Sequence, residues 1–238
     1  DSNNTIEFVI GFVPGANEVI INEIMADPTP EVGLPDAEYA ELYNNSNRII
    51  ELLGSTISSA SFPNSVILTP GEYVILANVD KVSLLSSTTS AQVIGMNSWS
   101  SSFLTNSGKE LILTNENGVV IDQVTYSDDW YGDDDKDDGG WSLERINPES
   151  SCVGLQYWTA SNDPSGGTPG AQNSVFDDSP DIIAPNLVNY AVVSLNEITL
   201  FFDELMDESS LLAGTYTIDN GLTVTNVISH STDPSSVT

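Results

Sequence analysis

Short runs of alternating hydrophobic and polar residues recur along the chain and predict β-strands. The run Tyr39–Tyr43 alternates aromatic or charged residues with small or aliphatic ones, which is the period-two pattern of a strand with one buried face. A strand over the run Val19–Met25 is predicted to place Val19, Ile21 and Glu23 on one face and Ile20, Asn22 and Ile24 on the other. Prolines between the two runs cannot donate hydrogen bonds to a sheet, so the connection is predicted to be a long loop.

Further strand-like runs follow, separated by turn residues at intervals of about eight to twelve positions. Thr69–Gly71 has a proline preset for a turn, and Asn115–Gly118 predicts a hairpin between Glu110–Thr114 and Val119–Tyr126. One short helical turn is predicted at Asp80–Ser86. Many short strands with frequent turns predict an all-β chain folded as a sandwich or a barrel.

The net charge of the chain is strongly negative. There are 35 Asp and Glu residues against 5 Lys and Arg, which gives a formal net charge of −30. Nucleic-acid binding depends on clustered cations that neutralise phosphates, and here the cations are dispersed. An acidic surface repels anionic lipid, and the chain has no apolar run long enough to span a bilayer. The composition therefore predicts no nucleic-acid partner and no membrane insertion.

Cys152 is the single cysteine and His230 the single histidine. One cysteine allows no intrachain disulfide, and one residue of each type cannot build a thiolate or imidazole metal site. The two residues are also far apart in the sequence, so they do not predict a nucleophile and its base. Cys152 is interpreted as a small buried hydrophobic residue near Trp158.

An aspartate-rich segment, residues 127–140, is the best candidate for binding an ion. Asp133, Asp135 and Asp137 occupy positions one, three and five of a twelve-residue frame that ends at Glu144. This is the spacing of oxygen ligands in an EF-hand calcium loop, although the sixth position is an aspartate instead of the usual glycine. The alternatives are a calcium site formed by these four residues and a solvated acidic loop without an ion.

A second acidic group lies around the first predicted loop and offers paired carboxylates. It consists of Asp27, Glu31, Asp36, Glu38 and Glu41. Acid–base catalysis by such a group needs a cleft and one raised pKa. A hydrolase that uses Asp27 and Glu38 is therefore retained as a minor hypothesis.

Two further sets of residues are predicted to have structural roles. Asp203, Glu204, Asp207 and Glu208 are interpreted as a solvated turn. The irregular spacing of the tryptophans predicts core or loop anchors rather than a carbohydrate-stacking platform. These tryptophans are Trp99, Trp130, Trp141 and Trp158.

Several ordered motifs between residues 18 and 175 resemble the lamin-tail domain as it occurs in secreted bacterial proteins. The motifs are INEIMADP, AEYAELYNNS, TPGEYVILA, NGVVIDQVTYSDDW, GGWSLERINP and TPGAQNS. The resemblance implies an immunoglobulin-like β-sandwich that serves as a non-catalytic module. Such domains contact proteins and chromatin in nuclear lamins, and they accompany extracellular nucleases, phosphoesterases and adhesins in bacteria. The acidity of this chain argues against a chromatin-like contact.

The motifs and the composition together predict four segments. Residues 1–17 carry a strand that belongs to a preceding module or joins this one at an edge, and residues 18–176 form the lamin-tail-like domain. Residues 177–181 are a linker. Residues 182–238 resemble bacterial Ig-like modules and are expected to form a second, incomplete β-sandwich. Its candidate strands are Leu187–Val192, Glu197–Phe202, Thr215–Ile218 and Thr223–Ile228.

The leading functional expectation is a non-catalytic module, secreted or exposed at the cell surface, that acts in structural spacing, adhesion or protein interaction. Its expected partners are neighbouring domains of a larger chain and an extracellular protein or carbohydrate. The alternative is a calcium-stabilised carbohydrate- or protein-binding module attached to a secreted hydrolase. Calcium is the one cofactor that the sequence suggests.

Overall fold

The structure is a computed structural model that describes residues 10–150, 157–179, 185–202, 206, 211–212, 216–219, 221, 223–230 and 235–238. These residues divide into two compact units, one within 10–149 and 157–178, the other within 150–156 and 179–238. Cys152, the predicted turn at Asp203, Glu204, Asp207 and Glu208, and residues 1–9 of the segment predicted to carry the first strand lie outside the described residues. The predicted segment boundaries remain predictions.

The strands of the first unit are short, as the frequent turns predict. In chain order they are β1 (Val19–Met25), β2 (Tyr39–Asn44), β3 (Ile50–Glu51), β4 (Thr56–Ile57), β5 (Ala60–Ser61), β6 (Ile67–Leu68), β7 (Tyr73–Ala77), β8 (Gln92–Gly95), β9 (Lys109–Thr114), β10 (Val120–Tyr126), β11 (Leu143–Arg145) and β12 (Trp158–Ala160).

Helices are brief. A 3₁₀-helix, Val79–Lys81, runs into α1 (Val82–Leu85), which confirms the helical turn predicted at Asp80–Ser86. A second 3₁₀-helix, Asp128–Tyr131, precedes α2 (Asp134–Asp137) in the aspartate-rich segment. No helix among the described residues is long and apolar enough to cross a membrane.

In the described part of the first unit, the strands form two main sheets. One sheet has six strands in the order β12-β11-β1-β2-β7-β8, the other has four in the order β10-β9-β4-β5, and β3 pairs separately with β6. Aliphatic residues of both sheets, such as Ile24 and Leu111, share one core. The predicted immunoglobulin-like β-sandwich is confirmed.

The hairpin predicted at Asn115–Gly118 is confirmed. Strands β9 and β10 pair antiparallel on either side of it. The Asn115 side-chain oxygen accepts hydrogen bonds from the backbone N–H groups of Asn117 and Val119, so the side chain closes the turn in the way that favours asparagine at such positions.

Strand β1 departs from the predicted alternation because a β-bulge interrupts its pairing with β2. The register shifts between Ile21 and Glu23, and an extra residue in one strand moves the following side chains to the opposite face. Ile21 and Ile24 consequently both pack into the core. The prediction that Glu23 shares a face with Ile21 is therefore wrong, and the bulge turns Glu23 away from the core.

Strand β2 keeps the predicted alternation, but both of its faces are buried. Ala40 and Leu42 pack into the core between the sheets. Tyr39 and Glu41 lie on the other face and are equally inaccessible to solvent. The six-stranded sheet is therefore covered on its outer side as well, at the place where its glutamates are found.

The second unit contains an antiparallel sheet of three strands among its described residues, in the order β13-β14-β15. Here β13 is Leu187–Ser194, β14 is Glu197–Phe202 and β15 is Ser236–Val237. The first two confirm predicted strands, whereas Thr223–Ile228 is irregular. Every residue of β13 is exposed.

Candidate functional site: a buried row of glutamates

Three glutamates lie side by side across the six-stranded sheet. In the strand register, Glu23 of β1 is directly opposite Glu144 of β11 on one side and Glu41 of β2 on the other. All three residues are wholly buried. We call Glu23, Glu41 and Glu144 the glutamate row.

Residues 165–175, called here the closing segment, cover the glutamate row. The backbone N–H of Thr168 donates to Glu23 Oε1 at 2.9 Å, and that of Gly170 donates to Glu41 Oε2 at 2.6 Å. The Thr168 hydroxyl donates to Glu144 Oε1 at 2.9 Å. Each glutamate therefore fixes a part of the closing segment to the sheet.

The far end of the closing segment is bound in the same way. The Ser174 hydroxyl donates to Glu144 Oε2 at 2.7 Å, and the backbone N–H of Val175 donates to the same oxygen at 3.2 Å. Glu144 thus accepts hydrogen bonds at both of its oxygens from a segment about thirty residues further along the chain.

The sheet itself supplies the other donors. Tyr39 and Ser142 donate their hydroxyl protons to Glu23 Oε1 at 2.7 and 2.6 Å, and the Asn22 side chain donates to Glu41 Oε1 at 2.8 Å. All of these donors are neutral. Glu23 Oε2 is buried without a hydrogen-bond partner among the described residues, which is where a proton on this carboxyl group would lie.

The environment of Glu23 and Glu41 favours their protonated forms. Burial, followed by the charge of Glu144, raises the pKa of Glu23 to about 7. Burial and then the charge of Glu23 raise the pKa of Glu41 well above its usual range. Neighbouring carboxylates in a region of low dielectric cannot all ionise together at low cost, so the row holds fewer than three negative charges at neutral pH.

A buried ion pair lies between the two sheets close to the row. Arg145 Nη1 donates to Asp122 Oδ2 at 3.0 Å, and the backbone N–H of Ile21 donates to the same carboxylate oxygen at 2.8 Å. Burial raises the pKa of Asp122 although the charge of Arg145 acts in the opposite direction. The pair connects β10, β11 and β1.

The structure does not gather the four predicted calcium ligands. Asp133 Oδ1 accepts a hydrogen bond from the backbone N–H of Asp135 and caps α2, while Glu144 is bound within the row. The acidic frame is thus partly helical rather than an open EF-hand-like loop. The described residues contain no group of three or more His, Cys, Asp or Glu side chains that could hold a metal ion. Calcium at Asp133, Asp135, Asp137 and Glu144 remains a prediction.

Part of the second acidic group meets at one cavity. Asp27, Asp36 and Glu38 line a cavity of about 400 Å³, whereas Glu41 belongs to the glutamate row. Glu31 accepts a hydrogen bond from the backbone N–H of Asp36. Burial raises the pKa of Glu38 to about 7, and the charge of Asp27 contributes to the rise. If the hydrolase hypothesis is correct, its active site lies at this cavity.

The tryptophans serve as anchors, as predicted. Trp158 and Trp99 are buried, and Trp99 stacks on Phe103 with ring centroids 4.0 Å apart. Trp130 and Trp141 are partly buried and pack against the same core. They do not form a common exposed platform.

The family model described as Lamin Tail Domain matches residues 13–128. The matched part of the chain is a lamin-tail-type domain. A comparison with curated proteins found no match. Lamin tail domains are immunoglobulin-like and non-enzymatic, which is consistent with a structural or interaction module.

The match contains two members of the glutamate row, Glu23 and Glu41. Glu144 and the closing segment follow the matched residues in the sequence, yet they hydrogen-bond within the same six-stranded sheet as the lamin tail domain. The sequence pattern alone does not group Glu23, Glu41 and Glu144 as one site. A usable signal was present, because Glu23 and Glu41 interrupt otherwise apolar strands, where a carboxylate normally needs buried partners.

Proposed function

We propose that the chain is an extracellular structural module, in which the lamin tail domain spaces neighbouring domains and offers a surface for adhesion or protein interaction. The observation that carries this proposal is the use of the glutamate row. Glu23, Glu41 and Glu144 bind the closing segment and are inaccessible to solvent. Their contacts hold the fold together rather than face a substrate.

A domain whose distant segments are held together by the glutamate row is suited to act as a spacer. Buried polar networks with most partners satisfied rigidify a domain and favour one arrangement of its elements. Here the network joins the first strand of the lamin tail domain to a segment 145 positions later. A domain tied across its whole length keeps a fixed distance between whatever is attached at its ends.

The extracellular location rests on the resemblance to modules of secreted bacterial proteins and on composition. A net charge of −30 keeps such a chain soluble and limits adsorption to anionic surfaces. A single cysteine is compatible with an extracellular and with an intracellular location. The partners expected outside the cell are the neighbouring domains and an extracellular protein or carbohydrate.

An antibody raised against residues 10–179 tests the location. Applied to intact cells of the source organism, it should label the surface or detect the protein in the medium, and external protease should remove the surface signal. An antibody to a cytosolic protein is the control and should label permeabilised cells only. Labelling of the module only after permeabilisation would contradict the proposal.

The non-catalytic part of the proposal is tested at the cavity that Glu38 and Asp27 line. Purified protein, Glu38→Gln and Asp27→Asn should be compared on aryl glycosides and phosphate esters. We expect no turnover by any of the three. Turnover that either substitution abolishes would instead support the hydrolase hypothesis.

A further inference from the structure

A second cavity opens on the outer side of the six-stranded sheet, next to the end of the closing segment. It has a volume of about 440 Å³, within the range of roughly 300–1,000 Å³ typical of small-molecule sites. Its lining includes Asn22, Tyr43, Tyr73, Glu149, Gln172 and Asp178. We call this space the tyrosine cavity.

Two tyrosines give the cavity an aromatic side. Tyr43 of β2 and Tyr73 of β7 are cross-strand partners, with ring centroids 4.8 Å apart and planes inclined by 35°. Both rings are half-buried, and neither hydroxyl makes a hydrogen bond within the described residues. Burial, followed by the charge of Glu41, raises the pKa of Tyr73 to about 12, so this hydroxyl remains a neutral donor.

Two side-chain amides of the lining have polar atoms that make no hydrogen bond with the described residues. The Asn22 amide nitrogen is held by Glu41 and Asn173, but its Oδ1 accepts no hydrogen bond from the described residues. The Gln172 amide is exposed and makes no hydrogen bond with them either. The cavity thus offers donors and acceptors on planar side chains next to aromatic faces.

The charges around the cavity narrow the class of ligand. The cationic side chain among its described lining residues, Arg145, is 1% exposed and paired with Asp122, so an anion finds no available partner. Glu149 and Asp178 are exposed, where solvent screens their attraction for a cation. A neutral ligand with hydroxyl groups and an apolar face fits best.

We propose that the tyrosine cavity binds a neutral saccharide. A pyranose ring places its C–H face against Tyr43 or Tyr73, since aromatic rings combine an apolar face with a polar tip. Its hydroxyl groups pair with the tyrosine hydroxyls, Asn22 Oδ1 and the Gln172 amide. This site is distinct from the tryptophans and does not depend on the extracellular spacing role.

Affinity electrophoresis of the full chain tests the proposal. The gels contain hydroxyethyl cellulose, galactomannan, xyloglucan or laminarin as neutral probes, and alginate or glycol chitosan as charged comparators. We expect at least one neutral polysaccharide to retard the protein. Tyr73→Ala should weaken that binding at least about tenfold, because the stacking surface is lost.

Gln172→Ala is the variant least able to disturb folding, because this side chain is exposed and unbonded. It should weaken binding about threefold to tenfold through the loss of one hydrogen bond. Gln123→Ala, at an exposed position of β10, is the matched control and should leave retardation unchanged. Retardation by no neutral polysaccharide, or retardation unaffected by both cavity variants, would overturn the proposal. Retardation by glycol chitosan alone would overturn it in favour of a cation site.

Discussion

At the scale of single residues, the glutamate row differs from the Asp122–Arg145 pair in how its charges are balanced. Asp122 faces a guanidinium group, whereas Glu23 faces hydroxyl and amide donors together with two further carboxyl groups. A carboxyl group among neutral donors is stable in the interior mainly when it carries a proton. The two sites therefore respond differently to pH and to substitution.

The raised pKa of Glu23 predicts that the row loses stability as the pH rises. The usual value is 4.5 and the folded value is about 7, so the native state binds the proton more tightly. The contribution of the protonated Glu23 carboxyl group to the free energy of unfolding is fully present below pH 4.5 and is lost as the pH rises through about 7. Urea unfolding across pH 4.5–8 should show that Glu23→Gln removes a slope of up to about 1.4 kcal/mol per pH unit.

Glu110→Gln, on an exposed position of β9, is the control and should leave the slope unchanged. Since glutamine resembles the protonated acid, Glu23→Gln should be at least as stable as the unmodified protein at pH 8. A steep loss of stability of Glu23→Gln at pH 8 would contradict the raised pKa of Glu23.

The buried ion pair predicts a large effect of removing its cation. Arg145→Met leaves the Asp122 carboxylate buried without its counterion and should lower the free energy of unfolding by about 3–5 kcal/mol. Lys81→Met breaks an exposed pair with Asp36 and should cost less than about 1 kcal/mol. Chemical denaturation measures the free energy of unfolding of both variants. Similar losses would contradict a larger contribution from the buried pair.

At the scale of elements, the bulge in β1 and the closing segment work together. Without the bulge, Glu23 would point into the apolar core beside Ile21. With it, Glu23 joins Glu41 and Glu144 on the outer face, where the closing segment supplies hydrogen-bond donors. A local irregularity in one strand thus creates the surface that a distant segment covers.

Close contact between the closing segment and the row predicts that replacing Gly167 destabilises the domain. A Cβ atom at this position would lie 2.6 Å from Glu23 Oε1 and 2.8 Å from the hydroxyl oxygens of Ser142 and Tyr39. Gly167→Ala should cost about 1–3 kcal/mol through overpacking and accelerate hydrogen exchange at the Thr168 amide.

The matched control for this substitution is Gly15→Ala, whose Cβ would have ordinary contacts with Glu18. It should leave both the unfolding free energy and the exchange rates of the closing segment nearly unchanged. Equal effects of the two substitutions would mean that the closing segment does not depend on tight packing.

The aspartate-rich segment carries the calcium prediction. Calcium that binds the loop in the native state and not in the unfolded state raises the melting temperature by mass action. Asp135→Ala should remove the rise. Thermal unfolding with excess EDTA and then with millimolar calcium measures it. Asp163→Ala, outside this segment, is the control. An unchanged melting temperature would contradict the calcium prediction and leave α2 as a solvated acidic turn.

At the scale of the whole molecule, the first unit should fold without the second. The residues of the six-stranded and four-stranded sheets all lie between residues 19 and 160, and the closing segment ends at residue 175. A chain shortened after residue 179 should therefore keep its main melting transition. Shortening after residue 164 removes the closing segment and should lower that transition, which calorimetry can measure; equal transitions for both chains would contradict this role.

Local pattern was enough to predict the short strands, the hairpin at Asn115–Gly118 and the alternation of β2, because each depends on residues that are close in sequence. The pattern left a sandwich and a barrel open, and the resemblance to the lamin-tail domain implied the sandwich. The bulge in β1 reverses side-chain direction without changing composition, so periodicity cannot detect it. The contact between Glu23 and Thr168 joins positions 145 residues apart. The glutamate row could therefore be suspected from charged residues inside apolar strands, but its cover could not.

The position of the closing segment also bears on how the chain is synthesised. Strand β1 is synthesised before the closing segment, so the Thr168 amide that donates to its Glu23 is absent until residues 165–175 have been made. Until then the row remains hydrated, and the outer face of the six-stranded sheet has no cover. Completion of the first unit therefore waits for residues 165–175, and a ribosome that stalls before residue 165 would present a nascent chain whose six-stranded sheet is still open to chaperones and proteases.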